Sequence, residues 1–158
     1  VLHFLQPADV KGTGFLMFDY HDAQLDDDQW MYLPSLNRVK RIATSDKTAS
    51  FMGSDFSYAD LTQRNLSDWT FTLLKEDTVQ GQPVWVIESL PVSEAVIEKT
   101  GYVRSIVYVL QDSFHVIRGV NFLEKTGERK LMNVSQIEEK QGLLINTEIQ
   151  MVYQKQGK

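Results

Sequence analysis

Four aspartates crowd one short stretch of the chain: Asp22, Asp26, Asp27 and Asp28. Carboxylates in such number can hold calcium. An EF-hand loop, however, needs them at alternating positions, with glycine at the sixth and glutamate at the twelfth. Here Asp26, Asp27 and Asp28 run consecutively, no glycine follows, and a strand pattern begins at once, so a solvated turn is expected. Gly12-Thr13-Gly14 is half of a phosphate-binding loop, but it leads into a strand, and no helix N-terminus would face an anion. A bulge or a close backbone approach is the expected use. His3, His21 and His115 lie far apart, and none has a metal-spaced partner of the His-Glu-x-x-His kind. His115 shares one hairpin with Asp112 and Ser113, where nucleophile, base and orienting group cannot line up. The remaining carboxylates fall mostly in turns, with nothing to raise one pKa selectively. No catalytic residue, metal site or cofactor is therefore assigned, and an enzyme is not expected.

The apolar residues carry a different signal. In residues 10–61, large apolar side chains occur on both faces of the strands. Such a sheet needs covering on each side, by its own elements on one face and by a ligand on the other. The candidates for lining a hydrophobic cavity are Phe15, Met17, Trp30, Tyr32, Phe51, Phe56, Trp69, Phe71 and Trp85. The alternative for each is ordinary core, and which strand face points inward stays open. The chain's 5 methionines can adapt to irregular apolar partners. An acyl chain of about 14 methylenes, at roughly 0.8 kcal/mol each, would contribute about 11 kcal/mol before ordering costs. Arg38, Lys40 and Arg41 form a basic cluster that Arg64 could join. It reads as a solvated strand face, or as a docking surface for an acidic partner or an anionic headgroup.

Positioning these residues falls to a single domain. The chain has 158 residues, enough to bury a core without staples. Its net charge of -5 argues against a nucleic-acid backbone as the main partner. It has no cysteine, hence no disulfide, thiolate metal site or lipid-attachment thiol. No apolar run approaches the roughly 18 to 20 residues that span a bilayer, and no signal peptide is visible. Residues 1–5 already read as strand, so a leader and a first helix are expected to be missing upstream.

Strand signals dominate the rest: residues 1–5, 14–20, 29–33, 38–43, 68–76, 83–90, 102–110, 116–125, 128–137 and 143–154. Residues 54–61 form the best helix candidate, capped by Ser54 or Asp55, and one helical turn is expected within residues 93–99. Short gaps holding turn-formers make neighbours antiparallel. A long antiparallel sheet has to curl. The break after the fourth strand favours an incomplete, half-open β-barrel with a few short helices over its open side.

Several blocks together resemble the LolA-like outer membrane lipoprotein-sorting family. They are residues 4–16 (FLQPADVKGTGFL), residues 28–34 (DQWMYLP), residues 38–42 (RVKRI) and residues 50–61 (SFMGSDFSYADL). Similarity in the last hundred residues is one of strand rhythm. The resemblance implies a periplasmic domain of Gram-negative bacteria, a curved incomplete barrel, and a hydrophobic cavity for lipid or lipoprotein acyl groups. Members of the family usually carry an N-terminal helix and strand before this region and further strand after it, so the chain is expected to lack both.

Two functions follow as expectations. One is a non-enzymatic periplasmic carrier of lipid or lipoprotein acyl chains, exchanging cargo with an inner- or outer-membrane transport partner. The other is a sensing or protein-interaction domain with a self-filled cavity, docking through Arg38, Lys40 and Arg41.

Overall fold

The computed structural model describes residues 1–18, 20, 27–124 and 127–155. Ten strands are defined among them: β1 (Leu2–His3), β2 (Gly14–Phe18), β3 (Asp28–Leu33), β4 (Arg38–Arg41), β5 (Trp69–Val79), β6 (Gln82–Pro91), β7 (Tyr102–Leu110), β8 (Val116–Leu123), β9 (Arg129–Lys140) and β10 (Leu143–Gln154). One α-helix, α1 (Glu94–Thr100), joins β6 to β7. The architecture is mainly antiparallel β, as the sequence indicates. The ladder divides into a four-stranded sheet, β1-β2-β3-β4, and a six-stranded sheet, β10-β9-β8-β7-β6-β5.

Local sequence sets the corners. Gln80 and Gly81, at φ 51° and 81°, connect β5 to β6, and Gln141 and Gly142, at φ 54° and 78°, connect β9 to β10. Paired left-handed residues match the twist of two-residue hairpins, and glycine takes the second position without strain. Asn37 (φ 46°) closes the 3-10 turn Pro34–Leu36 that leads into β4. Helix α1 starts after Ser93 and ends at Gly101 (φ 78°), whose N–H reaches the Ile97 carbonyl at 2.6 Å. Register shifts in β5–β6, β7–β8 and β9–β10 insert unpaired residues. Such bulges bend and twist the large sheet.

The segment between β4 and β5 differs from the helix expected over residues 54–61. Met52 and Gly53 both have positive φ. Ser54 turns its hydroxyl back to the Phe51 carbonyl at 2.6 Å, and Phe51 N–H bonds the Phe56 carbonyl at 2.7 Å. A closed turn results, zipped by a Ser50–Ser57 bridge, and only the 3-10 turn Ala59–Leu61 follows. Ser54 and Asp55 cap no helix. Asp55 instead accepts a hydrogen bond from Tyr153 N–H on β10 at 3.0 Å.

This segment is two-sided. Phe51, Phe56, Tyr58 and Leu61 pack with Phe15, Met31 and Ile42 of the small sheet. Phe15 meets Phe51 edge-on at 5.0 Å, and Phe51 meets Tyr58 at 5.3 Å. Gln29, fully buried, donates to the Tyr58 carbonyl at 2.9 Å. Its other end is pinned to the large sheet, where two further clusters form. One joins Trp69, Val96 and Tyr102, and the other Val84, Leu110 and Ile117.

Candidate ligand-binding site

The site is built on one face of the six-stranded sheet. Pairing runs unbroken along two rungs. Phe71, Ser89, Ser105, Asn121, Lys130 and Tyr153 form one. Leu73, Ile87, Val107, Gly119, Met132 and Met151 form the next. Rungs two residues apart share a face, so this face is polar along one line and apolar along its neighbour. Beyond the apolar rung, Ile149 pairs with Val134, and Trp85 with Val109, itself paired with Val116. The polarity therefore falls in one direction along the strands.

Residues 57–68 cross this face as a strap, held over the polar rung. Arg64 Nη2 donates to Ser105 Oγ at 3.1 Å and to Asn121 Oδ1 at 3.0 Å. Ser105 in turn donates to Asn121 at 2.7 Å. The guanidinium lies 4.6 Å from the Trp69 ring centre and 5.8 Å from that of Tyr102. These are cation–π distances. Asp60 is the second anchor. Its carboxylate accepts from the Tyr102 hydroxyl at 2.5 Å, from Lys130 Nζ at 3.2 Å, and from Ser57 N–H and Oγ at 2.8 and 2.9 Å. Burial, then the charge of Asp60 and its hydrogen bond, push the Tyr102 phenol well above its ordinary range. Burial lowers the Arg64 pKa, opposed by Tyr102 and Asp60. Arg64 is exposed to solvent, yet its pKa registers burial. A group in a hollow, surrounded but uncovered, shows both.

That hollow is a cavity of about 670 Å³ between strap and sheet. Leu61, Arg64 and Leu66 line it from the strap, and Trp69, Val107, Val116, Gly119, Met132, Ile149 and Met151 from the sheet. Its size falls within the roughly 300–1,000 Å³ of small-molecule pockets. A cavity of about 400 Å³ lies beyond Phe56, between residues 48–57 and Lys130, Leu123 and Tyr153.

The structure separates the residues singled out from the sequence. Phe56 and Trp69 line the larger cavity. Phe71 and Trp85 belong to the same sheet face by register, Phe71 half-exposed and Trp85 against the Phe114 ring at 5.4 Å. Phe15 and Phe51 are buried in the small sheet's filled core, with Met17 packed against it. Trp30 and Tyr32 fall on that sheet's opposite face, beside the exposed Leu16 and Val39. The basic residues of β4 do not form one patch. Arg38 and Lys40 pair with Leu33 and Met31, while Arg41 pairs with Trp30 on the other face. Arg41 hydrogen-bonds Asp28, and that contact holds the Asp28 carboxyl below the usual carboxylate range. Arg64 sits apart from them, on the strap over the large sheet. Of the aspartate-rich turn, Asp22 and Asp26 lie outside the described residues, as does His21.

The sequence marks Arg64 only as a possible neighbour of the β4 cluster, while Asp60, Lys130 and the sheet residues Val107, Met132, Ile149 and Met151 are not singled out there as site residues. For the residues of β7 to β10 the only signal is alternation in the last third, which shows a shared face without saying which one is covered. No helix among the described residues is long and apolar enough to cross a membrane.

Comparison with known proteins gives the relationship. A family model described as "Uncharacterized protein" matches residues 1–158. No curated protein matches the chain. A domain from Vibrio parahaemolyticus named for outer membrane lipoprotein sorting is 30% identical over 96% of this chain and 62% of its own, with a TM-score of 0.82. A DUF1329 family protein from Desulfovibrio piger is 32% identical over the same shares, with a TM-score of 0.83. A LolA superfamily protein from Nitrosomonas europaea, 18% identical over 98% of this chain and 64% of its own, superposes at 0.64 and speaks to fold. The chain thus spans about 62% of the length of the first two. It belongs to the family of the matching model, and its fold is LolA-like, shared with a domain named for lipoprotein sorting.

Proposed function

We propose that this domain is a non-enzymatic carrier of the cell envelope, acting in the periplasm and holding the acyl chain of a lipid or lipoprotein. The observation that supports this most is the apolar sheet surface of Val107, Gly119, Met132, Ile149 and Met151, spanned by a strap that leaves a cavity of about 670 Å³ above it. An acyl chain would complete what the protein's own side chains leave unfilled, at roughly 0.8 kcal/mol per buried methylene. The relationship to a lipoprotein-sorting domain agrees with that chemistry. No covalent step is needed, because transfer follows from a better apolar site on the acceptor. Of the residues drawn from the sequence, Phe56 and Trp69 are the proposed contacts, with Phe71 and Trp85 on the same sheet face outside the cavity lining.

Displacement of a fluorescent fatty-acid probe tests this. Wild-type protein should bind the probe and release it to unlabelled acyl chains. Ile149→Asp, placing a charge at a partly open position lining the cavity, should weaken binding at least tenfold while leaving the circular dichroism spectrum unchanged. A wild-type protein that takes up no probe would refute the carrier reading.

A further inference from the structure

We infer that the ligand is an amphiphile with an anionic headgroup, a carboxylate or phosphate, received by Arg64; this rests on the carrier reading and specifies its ligand. The cavity is graded. Its apolar rungs run toward Met132, Ile149 and Met151, and its polar rung lies under Arg64. A guanidinium has five N–H donors. Both hydrogen bonds of Arg64 leave from Nη2 and go to neutral oxygens, so the donors of Nε and Nη1 have no protein partner among the described residues. The Trp69 and Tyr102 rings flank the group, fixing its place without neutralising it.

The neighbouring charges are of both signs. Asp27, Asp60 and Asp68 also line the cavity, as do Lys47 and Lys99. Asp60 is the carboxylate whose charge acts on Arg64, and it is already engaged by Tyr102, Lys130 and Ser57. Asp27 accepts the Tyr20 N–H at 3.0 Å. Arg64 therefore keeps its charge with donors open to a ligand, and charge-assisted hydrogen bonds are stronger than neutral ones. A headgroup over the polar rung would lay its tail along the apolar ones.

Four probes separate the possibilities: hexadecanoate, hexadecyl phosphate, hexadecanol and inorganic phosphate, each titrated calorimetrically against wild type, Arg64→Gln and Arg64→Lys. Wild type should bind one or both anionic amphiphiles about tenfold or more tighter than hexadecanol. Arg64→Gln should erase that preference while still binding hexadecanol, and Arg64→Lys should fall between. Hexadecanol bound as tightly as hexadecanoate and hexadecyl phosphate by wild type would overturn the headgroup assignment and leave the carrier reading intact. Inorganic phosphate bound as tightly as hexadecyl phosphate would overturn it too, marking a site for a free ion. Binding of none of the long-chain probes would defeat the carrier reading itself. The wild-type comparison stands even if a variant misfolds.

Discussion

Asp60 is the residue through which the strap meets the sheet. It accepts from Ser57 on its own segment and from Tyr102 and Lys130 on β7 and β9. The Lys130 and Asp60 side chains are only 11% and 7% exposed. Removing one partner leaves the other's charge poorly solvated, which typically costs about 3 kcal/mol or more. Asp60→Asn should therefore lower unfolding free energy by about 3 kcal/mol in urea titrations; a loss below about 1 kcal/mol would show that water reaches Lys130. Tyr102 adds a pH dependence. Its phenol is raised in the folded chain, so above about pH 10 the unfolded state ionises while the native state keeps its proton. The stability from this group is whole below that pH and falls as pH rises, by at most about 1.4 kcal/mol per unit. Tyr102→Phe should flatten the alkaline decline of the urea midpoint without abolishing it, because burial also raises the Tyr58 phenol. An unchanged slope would argue against a buried, protonated Tyr102.

At the scale of elements, β4 is an edge strand, and its sequence Arg-Val-Lys-Arg is exposed throughout. Unpaired edge amides and carbonyls invite strands from other molecules, and positive charge discourages them. The double variant Arg38→Val, Lys40→Val should self-associate at concentrations where wild type is monodisperse in light scattering. If it stays as dispersed as wild type, the charges guard nothing and a docking role for Arg38 and Lys40 gains ground. The same comparison explains what was legible. Alternating, β-branched and aromatic runs separated by Gly-containing turns mark strands locally, which is why β7 and β10 have the bounds read from sequence. Residues 54–61 failed because the turn at Met52 and Gly53 closes on itself through Ser54, and no periodicity records such hydrogen bonds. The site was the least legible. Trp69 and Phe71 stand out by size, but Arg64 matters through Ser105 and Asn121, 41 and 57 residues away. Nothing local announces pairing at that distance.

For the whole molecule, the apolar interior is divided. The small sheet fills its inner side with Phe15, Phe51 and Tyr58, whereas the large sheet gathers two modest clusters and leaves its apolar rungs beneath a cavity. The chain spanning residues 42–68 ties the halves together and must stay ordered for the cavity to exist. A ligand that fills the gap binds the folded state alone and should stabilise it by mass action, about 2.7 kcal/mol at a hundredfold excess over its Kd. For a domain of this size, that is a rise in melting temperature of about 5–10 °C. Calorimetry with hexadecanoate should show the rise in wild type and lose about half of it or more in Ile149→Asp. Phe15→Ala should behave oppositely. It should lower the melting temperature, by about 3–5 kcal/mol of lost packing, yet preserve the ligand-induced increment, because Phe15 belongs to the filled half. An increment that vanishes with Phe15 and survives Ile149→Asp would move the binding site to the small sheet.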